Sequence, residues 1–263
     1  MRAKTILMAA MACLGLVSAE SAPGYNGYRL VWADGFEGAA GSPPDAGKWN
    51  IRTDIHVNGE WQQYTTESRN LQRSGGNTFQ LVPQIDNGRW TSGRIESKYV
   101  FTPEAGRVTM AEARIRFGDN DINNKKGMWP AFWLLGDSCR NGTPWPNCGE
   151  VDVMETVNGQ LTGYGTVHCG DTAQGGICNE PNGIGGTTGF PDQGWHNWRV
   201  IWDRTRGNWE SETLTWYMDG RQFHQVSGSR IGNFDVWRSL AQTPLHFICN
   251  VAVGGSFVSW RPP

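Results

Sequence analysis

Arg107-Val108-Thr109-Met110-Ala111-Glu112-Ala113-Arg114-Ile115-Arg116-Phe117 alternates with a period of two. Val108, Met110, Glu112, Arg114 and Arg116 fall on one side, and Thr109, Ala111, Ala113, Ile115 and Phe117 on the other. Successive side chains of a strand point to opposite faces, so this run is a strand with two distinct faces. Outward from it, strand-like segments recur with turn signals between them: NTFQLVPQ, TSGRIESKYVF, MWPAFWLLG, GEVDVMETV, LTGYGTVHC, HNWRVIWD, TLTWYMDGRQFHQV and PLHFICNVAV. Asp219-Gly220 supplies the tight positions of a hairpin turn. No long amphipathic helical run interrupts them. The expected fold class is all-β, a sandwich of antiparallel sheets.

Composition narrows the partners. The 263 residues carry 23 Lys+Arg against 25 Asp+Glu, a formal charge of −2. With no basic excess to displace counterions, the chain is not expected to bind nucleic acid. Apolar residues are 38% of the chain, but aromatics at 11% can still fill a core because each ring buries a large area. From Tyr25 to Pro263 there is no linker, repeat or low-complexity tract, and about 240 unbroken residues fit one domain.

The first nineteen residues read separately. Arg2 and Lys4 precede an apolar run, Thr5 to Val17, and Val17-Ser18-Ala19 has the small-x-small pattern of a signal-peptidase site. Residues 1–19 are therefore expected to be a secretory signal, with cleavage after Ala22 as the alternative, and 20–263 the secreted, extracellular domain. No other stretch approaches eighteen apolar residues, so no membrane span is expected. In an oxidising compartment the remaining cysteines invite pairing. Proximity favours Cys139 with Cys148 and Cys169 with Cys178, leaving Cys249, in HFICNVAV, as a buried thiol. No CxxC pair occurs and the histidines are dispersed, which argues against a metal site. Asn141-Gly142-Thr143 is a glycosylation sequon inside the first cysteine loop, which puts that loop at the surface if it is used.

The chemistry concentrates in Gly149-Glu150-Val151-Asp152-Val153-Met154-Glu155. Glu150 and Asp152 share a strand face. Glu155 is three residues past Asp152, so an unbroken pleat would send it into the core, where an unpaired carboxylate is costly. A β-bulge at Val153–Met154 restores the parity and gathers all three acids on one wall. Crowded like charges raise at least one carboxyl pKa and separate acid from base. A solvent-exposed acidic edge is the alternative reading. Trp129 and Trp133 in MWPAFW share one parity just upstream, and aromatic platforms beside paired acids suit uncharged sugar rings. Paired carboxylates in an aromatic cleft point to glycoside hydrolysis.

With these residues in view the sequence resembles glycoside hydrolase family 16, in particular the laminarinase-like endo-β-1,3- and 1,3(4)-glucanases of fungi. The landmarks, in order, are RLVWADGFEG, NGEWQQYT, TSGRIESK, GRVTMAEARIRF, GMWPAFWLLG, GEVDVMET, GTVHCG, WHNWRVIW, TWYMDGRQF and NVAVGG. The resemblance implies a concanavalin-like β-jelly-roll of two curved antiparallel sheets with a concave glycan-binding cleft. It implies a retaining double displacement, with Glu150 as nucleophile, Glu155 as acid/base and Asp152 hydrogen-bonding the nucleophile. Their carboxyl groups would then lie roughly 5–5.5 Å apart. Trp133 and Trp129 match sugar platforms, and His168 a position near the leaving-group side. Asn58 and Asn250 match ligands for sugar hydroxyls, with Arg94 as a further candidate. The implied partner is a β-glucan, the expected state a monomer, and no cofactor is implied; some relatives hold a structural calcium, but no ligand cluster for one stands out. A transglycosylase with the same machinery, or a non-catalytic glucan-binding protein, is the alternative. Relatives continue beyond the VAVGG segment to a further strand, whereas here SFVSWRPP runs to Pro263, so the domain is expected to lack its last strand and to gain melting temperature if one is restored.

Overall fold

The computed structural model describes residues 22–258. The expected signal at 1–19 lies outside the described residues. The strands are β1 (Trp49–Ile51), β2 (Gln62–Tyr64), β3 (Leu71–Arg73), β4 (Phe79–Leu81), β5 (Gln84–Asp86), β6 (Arg89–Ser92), β7 (Arg94–Phe101) and β8 (Val108–Ile115). They continue as β9 (Met128–Gly136), β10 (Glu150–Glu155), β11 (Thr162–His168), β12 (Ile184–Gly189), β13 (His196–Asp203), β14 (Thr213–Met218), β15 (Arg221–Ser227) and β16 (Leu245–Val253). Two short helices, α1 (Gly228–Ile231) and α2 (Phe234–Ala241), precede β16. The alternating run of the opening is β8, and Asp219-Gly220, at φ 48° and 79°, turns β14 into β15.

Seven strands form one antiparallel sheet in the order β1-β7-β16-β9-β10-β11-β12; four form a second in the order β15-β14-β13-β8. They pack face to face as the jelly-roll sandwich. From the four-stranded sheet come Trp198, Trp202, Val200, Leu214 and Trp216; from the larger come Ile95, Leu134, Val151, Val153 and Val167, all without solvent exposure. Trp202 and Trp237 are anchored as well as packed, whereas Trp198 Nε1 is buried without a hydrogen-bond partner. Trp202 Nε1–H donates to Leu240 O at 3.0 Å, and Trp237 Nε1–H to Glu212 Oε2 at 2.7 Å. Such pairing offsets the cost of burying a polar N–H.

Rings from the smaller sheet reach the larger where the latter has no side chain. A methyl at Gly163 would sit 2.2 Å from Trp198, and one at Gly165 would sit 2.5 Å from Trp216 Cδ1. These two glycines on β11 leave room for the edges of the indoles beneath the cleft sheet.

Cys169 and Cys178 are disulfide-bonded, whereas the expected Cys139–Cys148 bridge is not formed and both are thiols. Their loop is closed by backbone instead: Thr143 N–H donates to Ser138 O, Cys148 N–H to Pro144 O and Gly149 N–H to Pro146 O. The two thiols are neighbours, and burial with Cys139 alongside pushes the Cys148 thiol up. Cys249 is a free thiol packed against the core, pushed up to about 12 by burial.

Candidate active site

The acidic strand is bulged where its parity demanded. Against β9, Asp152 pairs with Trp133 and Met154 with Phe132, so Val153 is the extra residue. Against β11 the register also shifts between Asp152 and Glu155. Val151, Val153 and Met154 all enter the core, and Glu150, Asp152 and Glu155 share the opposite, concave face. A bulge interrupts the ladder and leaves backbone groups to be satisfied elsewhere. Here Trp216 Nε1–H, reaching through from the other sheet, donates to Asp152 O at 2.7 Å. The core therefore holds the bulge from behind.

Each acid has its own partner. Trp145 Nε1–H donates to Glu150 Oε2 at 3.0 Å, and Trp129 Nε1–H to Glu155 Oε1 at 2.7 Å. Asp152 Oδ2 lies 3.3 Å from His168 Nε2, across the β10–β11 ladder. Burial and the Asp152 charge push Glu155 up to about 8, against the opposing pull of Trp129 and His168. The same two causes raise Glu150 well above the ordinary carboxylate range, opposed by His168 and the Trp145 N–H. Acids crowded in this way resist ionising together, so one carboxyl can keep a proton to donate while another, ionised, attacks.

Glu150, Asp152 and His168 offer single ligand atoms within 4.8 Å of one another. His168, however, faces Asp152 with Nε2 and Glu180 Oε2 with Nδ1 at 2.7 Å. Only the Nδ1 contact is a hydrogen bond; Asp152 Oδ2 is buried without a hydrogen-bond partner and faces Nε2 at ion-pair distance.

The aromatic residues divide by role. Trp133 is half-buried on β9 with the Arg94 guanidinium 5.0 Å over its ring. Its Nε1–H donates to Asn250 Oδ1 at 2.8 Å, and Asn250 Nδ2–H donates to Tyr64 OH at 3.1 Å. Asn250, expected to meet sugar hydroxyls, therefore spends both polar ends orienting Trp133 and Tyr64, because its register on β16 sets it beside both. Arg94 is buried and ion-paired to Glu96 at 2.8 Å, which makes it a backing for Trp133. Trp129, expected as a second platform, also holds Glu155, with its ring edge-on to Phe257 at 5.2 Å. Asn58 lies in the adjoining loop, its amide on Glu60 at 3.2 Å and its carbonyl accepting from Ser256 N–H. Trp145, Glu180, Tyr64 and Trp216 complete the site and went unremarked in the sequence. Trp145, five residues before Glu150, carried the one local signal; the other three arrive by tertiary contact.

Comparison with known proteins agrees with this geometry. Residues 59–188 match the family described as the XgeA-like, catalytic GH16 domain. Glucan endo-1,3-beta-glucosidase A1 of Niallia circulans is 30% identical over 92% of this chain and 36% of its own length, so this chain spans about a third of that relative. Beta-glucanase of Rhodothermus marinus is 27% identical over 98% of this chain and 86% of its own. Among solved structures, the laminarinase from Rhodothermus marinus superposes with a TM-score of 0.68 at 28% identity, over 87% of each chain. The endo-1,3-beta-glucanase from Streptomyces sioyaensis superposes with a TM-score of 0.86 at 33% identity, over 92% of each chain. With a bulged triad of acids on the concave face of a jelly roll and likeness of that extent, the chain belongs to glycoside hydrolase family 16.

Proposed function

We propose that the protein is an endo-acting, retaining hydrolase of β-1,3- or mixed β-1,3-1,4-glucan. The observation that carries this is the bulge that gathers Glu150, Asp152 and Glu155 on one concave wall beside Trp129 and Trp133. An uncharged glucan lies across the open sheet with a ring against Trp133. Glu150 attacks the anomeric carbon as the glycosidic C–O bond breaks, and Glu155 gives its proton to the departing oxygen. Glu155, now ionised, takes a proton from water; that water's oxygen attacks the same carbon and releases Glu150. A pKa near 8 keeps Glu155 protonated for the first step at neutral pH. The relatives' printed names, endo-1,3-beta-glucosidase, beta-glucanase and laminarinase, support the substrate class.

We read residues 1–19 as the signal that sends the enzyme out of the cell to meet this polymer, acting as a monomer without a cofactor. No helix among the described residues is long and apolar enough to cross a membrane. The test is product analysis on laminarin, lichenan and barley glucan side by side, with the anomer released followed by proton NMR. Internal cleavage with β-anomer released first is expected. Inverted product, or full reducing-end release by Glu150→Ala, would overturn the assignment.

A further inference from the structure

We propose that Glu180 is a positioning residue of this active site: its carboxylate fixes His168 as an imidazolium whose second nitrogen faces Asp152. The proposal deepens the glycosidase reading above and rests on it for its catalytic meaning. Glu180 lies in the loop between β11 and β12, two residues past Cys178, and its side chain has no solvent exposure. Oε2 is 2.7 Å from His168 Nδ1, and Oε1 accepts the Cys169 N–H at 2.8 Å. A carboxylate cut off from water needs charged or multiple donors, and both of its donors come from the end of β11.

The loop is built to hold that carboxylate. The Cys169–Cys178 disulfide ties its base, and Gly175 and Glu180 exchange reciprocal N–H···O bonds of 2.6 and 2.7 Å. The result is a line of groups, Glu180 to His168 to Asp152, ending on the acid between Glu150 and Glu155. A carboxylate oxygen faces each ring nitrogen, Glu180 Oε2 in a hydrogen bond of 2.7 Å and Asp152 Oδ2 at an ion-pair distance of 3.3 Å, and a ring flanked by two carboxylates is held as the imidazolium.

The titratable groups facing His168 are Asp152 and Glu150 from β10 and Glu180 from the loop; the approach to β12 presents Gly183, and Trp145 contributes a neutral ring 5.6 Å away. Burial by itself would discharge the ring, but the flanking Asp152 and Glu180 carboxylates outweigh it and lift His168 to about 12. The resulting cation lowers the cost of ionising both Glu150 and Glu155. Without Glu180 the ring loses its distal anchor and sheds its proton, and both acids then ionise at higher pH.

The first experiment needs no variant and no substrate. In the intact protein at about pH 8, the His168 ring nitrogens observed by 15N NMR should both be protonated. A neutral ring there would overturn the proposal, whatever the enzyme hydrolyses. The second compares Glu180→Gln and Glu180→Asp on laminarin. In Glu180→Gln the ring should titrate within the neutral range. The acid limb of kcat/KM should rise by about one pH unit, which is about tenfold in rate on that limb, with KM unchanged. Glu180→Asp should recover part of the shift. An unmoved profile, or a uniform loss at every pH with His168 still charged, would overturn it. Should Glu180→Gln not fold, the wild-type NMR result decides. A wild-type protein inert on every glucan, with a doubly protonated His168, would refute the glycosidase reading and leave the ring assignment standing.

Discussion

Replacing Glu155 with Gln should make the protein inactive and, above neutral pH, more stable. The residue is 9% exposed, and its carboxyl is raised from the usual 4.5 to about 8 by burial and by Asp152. Between those two values the folded protein holds a proton that the unfolded chain releases. Stability is therefore fully present below about pH 4.5 and is lost as pH rises towards 8, at about 1.4 kcal/mol per pH unit. Carried across that window, the loss is roughly 4–5 kcal/mol, reduced to about 2–4 kcal/mol because Glu150 and Asp152 relax when one member of the set changes. Gln keeps the shape and an acceptor for Trp129 Nε1–H while removing the titration. Urea unfolding of both proteins at about pH 4.5 and about pH 8 measures the difference. The variant should match wild type at the lower pH and exceed it by about 2–4 kcal/mol at the higher. An equal difference at both pH values would refute the reasoning, because a packing change carries no proton.

Three further outcomes follow from the geometry. Trp216→Phe keeps the ring in the core but strands the Asp152 carbonyl behind the bulge; it should cost about 1–3 kcal/mol in urea unfolding and lower kcat more than it raises KM. Gly165→Ala forces a methyl against the same indole and should destabilise by about 1–3 kcal/mol through overpacking, read as a lower Tm. Asn250→Ala releases Trp133 Nε1–H and Tyr64 OH together; it should raise KM on laminarin severalfold, with kcat less affected, and cost about 1–3 kcal/mol in unfolding.

The alternation of β8 and the parity conflict within Glu150–Glu155 are local facts, so the strands and the bulge were legible in the residues themselves. The identity of each polar partner was not. Trp133 and Asn250 are 117 residues apart, joined because β9 and β16 are neighbours in the sheet, and no local pattern encodes that register. Trp129 was legible as a cleft aromatic from its parity, but its bond to Glu155 depends on the cross-strand pairing of β9 with β10. Glu180 sits in a glycine-rich loop where a carboxylate ordinarily meets water, and only the folded loop shows its burial. The short strands β1 to β6 are three or four residues each, too brief for periodicity to register, and α2 announces itself mainly through its Asn233 cap.

The bulge at Val153 also sets what small genetic changes can do to this protein. Glu150 to Asp152 is a two-residue step and Asp152 to Glu155 a three-residue step, so the set of acids is out of phase with the strand that carries it. Point substitutions can exchange the acids one at a time and leave that phase untouched. Losing the single codon for Val153 would instead restore a perfect two-residue beat. Glu155 would keep its face and every carboxylate would remain, yet the Asp152 carbonyl would re-enter the ladder and Trp216 would lose its acceptor. The spacing between the acids, a length of backbone rather than a side chain, is thus itself an inherited part of the active site.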